Sequence, residues 1–428
     1  MIKTKMYRKQ LAILFCCLSM TTVAFAQQEE TELTPMEKLE QRTGTLEDAV
    51  RKQQKFKLSG YVQAQYQWGE QDALLKVGTA NEHLDKSFGR FGIRRGRIKF
   101  TYEEKLVSGV FELDITEKGV GLKDAYLNVK DPWFGTIALR AGIFDRPFGN
   151  EISYSSSKLE SPERSTLCQT IFPEEKDLGF MLTLQAAKTS PWNILKLEAG
   201  MFAGNAINRE TDSRLDFIGH LSVDKSIGSN IKIGGGISYY NGGVYQGTDN
   251  IYSMRGKEFI LNHDSANIGK YAKREYFGVD FQFSIMSILG MTQLRAEYLF
   301  GQQPGVKSNS KSPNSSTLPV SDTYTRNFMG AYVIFIQDLG TLPLSVVFKY
   351  DWYNPNTKVS KDNIGLNNTT AADIAFNTYG VGLLWRITSY LRLQAYYEFV
   401  QNEKTANIEK YKKDLKDNVF TVRLQYKF

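Results

Sequence analysis

The sequence predicts an all-β chain, a 16-stranded antiparallel transmembrane β-barrel with inward-folded long loops and a short N-terminal helical segment. Three observations lead there. The chain opens as an exported protein does, with bases, then an apolar stretch, then Ala24-Phe25-Ala26. No later uninterrupted apolar run reaches the about 18 residues of a membrane helix. The remainder is hydrophilic overall yet holds 23 Tyr, 26 Phe and 35 Gly. That is the composition of a barrel in which only every second residue faces lipid.

The ends come first. Lys3, Lys5, Arg8 and Lys9 form an acid-free basic region, and the A-x-A at 24–26 marks a signal peptide at 1–26. Cleavage removes four bases, which takes the formal net charge from +7 to +3. Cys16 and Cys17 lack the small residues that precede a lipidated cysteine. Only Cys168 stays in the mature chain, so no intramolecular disulfide is expected. Residues 27–54 form a periplasmic helical or coiled-coil-like extension, and 55–428 the barrel. In that extension Met36, Leu39, Thr43, Leu46 and Val50 recur at spacings of three and four. Two heptads of this kind are too short to be stable alone.

The strands follow from period-2 alternation. In 56–68, Phe56, Leu58, Val62, Ala64, Tyr66 and Trp68 face one way, and Lys57, Ser59, Gln63, Gln65 and Gln67 the other. Further segments fall at 90–103, 106–116, 122–130, 134–144, 178–187, 194–203, 214–224 and 229–240. The last seven are 274–286, 289–301, 326–336, 343–352, 377–387, 389–400 and 417–428. Short turns alternate with longer connections, of which 145–177 and 241–273 are the longest, so both termini belong to the short-turn, periplasmic rim. The stretch FMGAYVIF in 326–336 is apolar on both sides, which suits the underside of an inserted loop or a neighbouring subunit. The closing FTVRLQYKF puts Phe420, Val422, Leu424 and Tyr426 toward lipid and Arg423 and Lys427 toward the lumen, with Phe428 in the aromatic girdle of the periplasmic interface.

The inward sides carry a modest excess of bases. Several acids sit two positions from a base on the same face (Lys196/Glu198, Arg214/Asp216, Arg295/Glu297, Lys349/Asp351) and are expected to neutralise it. The run RRGRIK, with Arg95, Arg97 and Lys99 on one side, has no such neighbour. Arg423 and Lys427 of the last strand are expected near it across the closure. Arginines along an aqueous path attract anions. With Arg140 and with Lys158 and Arg164 of the 145–177 connection, these are the candidate pore-lining residues.

FGIRRGRIKFTYEEKL, GLKDAYLNVKD, LRAGIFDRPFGNEISYSSSKLESPERS and EKDLGFML, within 90–182, resemble the phosphate-selective porin O and P family. The resemblance implies a homotrimer of sixteen-stranded barrels in the bacterial outer membrane, constricted by loops folded inward, with Tyr426 and Phe428 as the terminal aromatic signal that barrel-assembly machinery recognises. It also implies passage of phosphate. The 145–177 connection departs from that: Arg146, Lys158, Arg164 and Lys176 face Asp145, Glu151, Glu160, Glu163, Glu174, Glu175 and Asp177. An acidic eyelet repels anions. In 241–273 the balance reverses, with Arg255, Lys257, Lys270 and Lys273 against Asp249, Glu258 and Asp264. The expectation is therefore passive diffusion of small hydrophilic solutes, with a mild anion preference.

Other classes fare worse. His220 and Ser222 share one inward face, the spacing of a Ser–His pair, but nothing beyond Asp216 would orient them, so no enzyme is expected. No ligand-spaced cluster suggests a metal or cofactor, and an exported barrel has no call for nucleic acid. An oligosaccharide channel is the nearer alternative, with Tyr61, Tyr240, Tyr276 and Tyr396 as a stacking track. A plugged 22-stranded transporter would need far more chain before the first strand.

Overall fold

Alternation decides each strand, and closure lets every strand find two neighbours, the condition for spanning hydrocarbon without unpaired backbone. The computed structural model describes residues 34–428 except Leu84, so the expected signal peptide lies outside the described residues. Eighteen strands appear: β1 (Phe56–Gly69), β2 (Phe88–Glu104), β3 (Val107–Thr116), β4 (Gly119–Lys130), β5 (Ile137–Asp145), β6 (Lys176–Gln185), β7 (Leu195–Phe202), β8 (Asp216–Ile227) and β9 (Ile231–Tyr245). They continue with β10 (Asn250–Arg255), β11 (Glu258–His263), β12 (Tyr271–Ser287), β13 (Gly290–Gly305), β14 (Thr323–Asp338), β15 (Leu344–Asn354), β16 (Phe376–Arg386), β17 (Leu391–Asn402) and β18 (Val419–Lys427).

Sixteen of them form the closed antiparallel wall. β10 and β11 are a hairpin inside the long connection between β9 and β12, joined to the wall by a short parallel pairing with β14. The sequence pattern misses this hairpin because its strands are only six residues each, apolar and polar residues mix on both faces, and it buries little beyond Phe259. The helix α1 (Pro35–Lys55) forms over the segment with the heptad spacing, and Met36, Leu39 and Val50 are exposed on it.

The outward residues make an apolar exterior. Phe348, Trp385, Phe399 and Leu424 are all more than 40% exposed, an arrangement suited to hydrocarbon rather than water. At the seam, β18 pairs with β1 from Tyr61↔Lys427 to Gly69↔Val419. Phe428 finishes the ladder: its N–H donates to the Gly60 carbonyl and its carbonyl accepts from the Gly60 N–H, both at 3.0 Å. A Cβ on residue 60 would lie 2.5 Å from the Phe428 ring, so the glycine makes room for it. Deleting Phe428 removes this last rung. Slower closure is expected, read as a delayed shift from unfolded to heat-modifiable folded mobility; an unchanged rate would show that the rung is dispensable.

Two β-bulges break the alternation. In β2 the register passes from Gln63↔Arg95 to Ala64↔Ile93, which leaves Arg94 over; in β4 it passes from Glu112↔Asp124 to Leu113↔Leu122, which leaves Lys123 over. Such an extra residue re-aims side chains locally. The short rim is built by turns such as 131–136, where the Asp131 carboxylate accepts N–H groups of Trp133, Phe134, Thr136 and Ile137. Those bonds, chiefly from Ile137 and Phe134, hold its pKa down at about 2.

β14 resolves the stretch that is apolar on both sides. Its inward Tyr332, Ile334 and Ile336 pack with Val347, Leu384 and Tyr396 of β15, β16 and β17 into a small core on the inner wall. Higher up, Phe328 and Gly330 lie under the inserted loop. A neighbouring subunit is not needed to explain it.

Candidate functional site: the lumen and its inserted loop

The connection 146–175, hereafter loop 3, is the third on the long-loop rim, and it folds into the barrel. Its seat is apolar. Phe148, Ile152, Leu167, Ile171 and Phe172 bury against the inward Phe144, Phe202, Ile218, Tyr240, Tyr276, Leu299, Phe328 and Tyr353. Phe172 sits centrally, with ring centroids 5.1 Å from Phe148 and 5.7 Å from Tyr276. Each such side chain contributes about 1.5–3 kcal/mol relative to exposure. A short helix α2 (Thr166–Ile171), capped by the Ser165 hydroxyl, brings Leu167 down onto Gly330, where any side chain would collide with it.

The motif GIFDRPFG builds the entry to this seat. Arg146 Nε donates to Asp177 at 3.0 Å, Phe148 enters the core, and Gly149 has φ +56°. A Cβ there would lie 2.4 Å from the Glu297 carboxylate. That close approach lets Glu297 of β13 accept the N–H of Asn150 (2.7 Å) and of Glu151, while the Tyr332 hydroxyl donates to it at 2.9 Å.

The other side of loop 3 is fastened by polar groups. Gln63 and Gln425 donate to the carbonyls of Ser156 and Ser157, and Gln394 donates to those of Leu159 and Glu160. Lys349 donates to Glu151 at 3.0 Å and to the Glu163 carbonyl at 3.2 Å. Asp351 accepts the Thr166 N–H, and Arg295 pairs with Glu160. The same-face pairs expected for Arg295/Glu297 and Lys349/Asp351 are thus replaced by pairs with the loop, because the loop brings its own carboxylates within reach. Lys196–Glu198 forms as expected, at 2.9 Å, and Arg214–Asp216 at 3.9 Å.

Glu163 gathers the densest charge. Arg94 grips it with Nε and Nη2, both at 2.8 Å; Arg423 Nη2 lies at 2.7 Å and Arg95 Nη2 at 3.3 Å. Arg423 also donates to Gln65 Oε1 at 2.6 Å and to the Pro162 carbonyl, and Arg95 donates to Gln63 at 3.0 Å. Burial raises the Glu163 pKa, but Arg94, Arg95 and Arg423 outweigh it and hold the carboxyl well below the usual range.

The expected pore residues therefore divide. The RRGRIK run is not without partners: Arg95 meets Glu163, Arg97 meets Glu112 at 3.2 Å and Asp114 at 3.7 Å, and Lys99 lies 3.8 Å from Glu112 and 3.9 Å from Asp124. Same-strand spacing missed these acids, which come from β3, β4 and loop 3. Arg423 joins the cluster across the seam as expected. Lys427 stands exposed opposite Tyr61 and forms no ion pair among the described residues. Arg164 is buried, paired with Glu175 and donating to the carbonyls of Glu151 and Tyr154. Arg140 is half-buried with its guanidinium over Tyr126 at 4.8 Å, and Lys158 is exposed; among the described residues neither has a carboxylate partner.

The acidity of the 145–177 connection also changes meaning. Asp145, Glu151, Glu160, Glu163, Glu175 and Asp177 all carry ion pairs, with Lys176, Lys349, Arg295, the three arginines, Arg164 and Arg146. They are fastenings, not an open acidic eyelet. The aromatic track is likewise overturned: Tyr240 and Tyr276 stack on each other 4.9 Å apart under Phe172 and are fully buried, and Tyr61 and Tyr396 are buried too. The Ser–His spacing makes no pair either, since His220 Nε2 meets Asp280 at 3.0 Å and Ser222 donates to the Lys196 carbonyl. Arg94 is the contact that alternation could not find; its only sequence signal is glycine at 92 and 96 around a doubled arginine.

Comparison with solved structures places the fold. The chain is similar to OprB of Pseudomonas putida (TM-score 0.55, 10% identity, covering 90% of this chain and 97% of that one). OmpF of Salmonella typhi, solved with daunomycin, gives TM-score 0.53 and 11% identity over 87% of this chain and 97% of that one. The outer membrane channel DcaP of Acinetobacter baumannii gives 0.50 and 14% over 87% and 97%. No family model and no curated protein matches the sequence.

Proposed function

We propose that this chain is a porin-like channel of the bacterial outer membrane, a passive path for small hydrophilic solutes with a mild anion preference. The observation that carries it is a lumen lined by polar and charged groups, enclosed by an apolar-sided barrel and narrowed by one inserted loop. The anion preference rests on Arg140 and Lys158, together with Lys99 (35% exposed), whose carboxylates lie at the limit of pairing distance. Phosphate as the solute, a homotrimeric assembly and recognition by barrel-assembly machinery extend this reading from the sequence resemblance. Export rests on the basic region and A-x-A of residues 1–26, and self-association through α1 on its spacing of three and four.

Planar-bilayer recording under a KCl gradient tests it. Conductance with a reversal potential on the anion side is expected, and Arg140→Gln with Lys158→Gln should move that potential toward cations. A cation-selective wild type sinks the anion preference, and no current at all sinks the channel. Added millimolar phosphate that leaves the current unchanged removes phosphate as a favoured solute.

A cavity of about 250 Å³ beside loop 3 favours neutral solutes as a second reading. The amides of Asn150, Gln282 and Gln293 line it next to Tyr154, and its cations Arg295 and Lys232 are already paired with Glu160 and Asp224.

A further inference from the structure

The bulge at Arg94 has a chemical effect. In an unbroken strand, consecutive residues point to opposite faces, so Arg94 would meet lipid while Arg95 met water. The extra residue brings both guanidiniums to one carboxylate, and the last strand adds a third across the seam. Their remaining partners are neutral: Gln63, Gln65 and the Pro162 carbonyl. Three cations thus share one anion at a place where loop 3 meets the wall. Glu163 and Arg95 are about 5% exposed and Arg423 fully buried, while the Arg94 side chain keeps 25% of its surface. Arg94 is the one member of the cluster that keeps exposed surface.

Resting on the channel reading, we propose that Glu163 is the residue that sets the charge preference of the lumen, by masking the three arginines that the bulge and the seam assemble. With Glu163 in place the three cations and one anion leave two positive charges, and only Arg94 among them keeps exposed surface. Without it, three guanidiniums face each other with only amides and carbonyls as partners, and a small anion from the lumen becomes the available counter-charge. No other carboxylate of loop 3 has this role. Glu151 and Glu160 each answer a single base, Lys349 and Arg295.

The test uses the full chain in planar bilayers under a KCl gradient, comparing Glu163→Gln with Glu151→Gln. Both remove one loop carboxylate, so a generic charge effect moves both alike. Glu163→Gln is expected to raise the chloride-to-potassium permeability ratio on the order of fivefold, against less than about twofold for Glu151→Gln. Arg94→Gln, which leaves two arginines on the carboxylate, is expected to shift the ratio the other way. Equal shifts for the two glutamate variants, or a cation shift in Glu163→Gln, overturn the proposal. If Glu163→Gln is not recovered folded, Arg94→Gln decides: an unchanged ratio or a shift toward anions overturns it. A silent wild type fails the channel reading itself, which separates that failure from this one.

Discussion

Lys349→Met is expected to loosen loop 3 and raise the open-channel conductance, with larger current fluctuations than wild type. Lys349 is buried, its ammonium donates to Glu151 and to the Glu163 carbonyl, and it lies 5.5 Å from the centre of the Tyr332 ring. Methionine keeps the length but leaves Glu151 buried without its cation. Breaking one side of a buried pair costs on the order of 3–5 kcal/mol, whereas neutralising both sides costs much less. Lys349→Met with Glu151→Gln is therefore expected to conduct more quietly than Lys349→Met alone. Single-channel recording checks this. A double variant noisier than the single would mean that the Glu151 carboxylate holds the loop through Ser165, whose N–H it accepts at 2.9 Å, and not through the lysine.

The second large effect is expected elsewhere on the same long-loop rim. Arg326 at the top of β14 is fully buried; its Nε donates to Asp373 at 2.9 Å, and its other nitrogens donate to the carbonyls of Val306 and Lys307. Asp373 in turn accepts from Asn356 and from the Thr370 N–H. One guanidinium thus ties the connections 306–322 and 355–375 together. Arg326→Ala leaves Asp373 buried and uncompensated, so those connections should open at a local cost of about 3–5 kcal/mol. Hydrogen exchange or limited proteolysis should report faster cleavage at 306–322 and 355–375 with the barrel's heat-modifiable mobility retained. Protection unchanged from wild type would show that the apolar contacts of Val359, Ile364 and Ile374 suffice to hold the loops.

Much of the wall was legible in the sequence for a simple reason: a bilayer on one side and water on the other impose period 2 on every strand. The ends of the sixteen strands fall within a few residues of the pattern. What the pattern could not carry is anything that acts across the lumen. The partners of Arg95, Arg295 and Lys349 lie on loop 3, more than sixty residues away in each case, and no local spacing encodes them. Arg94 was hidden by the opposite fault, since a bulge breaks the rule that otherwise served so well. The tyrosines misled because an inward aromatic can line water or support a loop, and only the presence of Phe172 above Tyr240 and Tyr276 tells which.

The position of Glu163 also bears on the order in which the barrel forms. Its partners lie on β2 and β18, which flank β1 at the seam where the first and last strands meet. Arg94 and Arg95 can meet the carboxylate once β2 and loop 3 are both in place. Arg423 reaches it only when the end of the chain arrives and the cylinder shuts. The strand that seals the wall therefore also supplies the last fastening of loop 3. Closing the cylinder and fixing the loop that narrows it thus draw on one and the same side chain, Arg423.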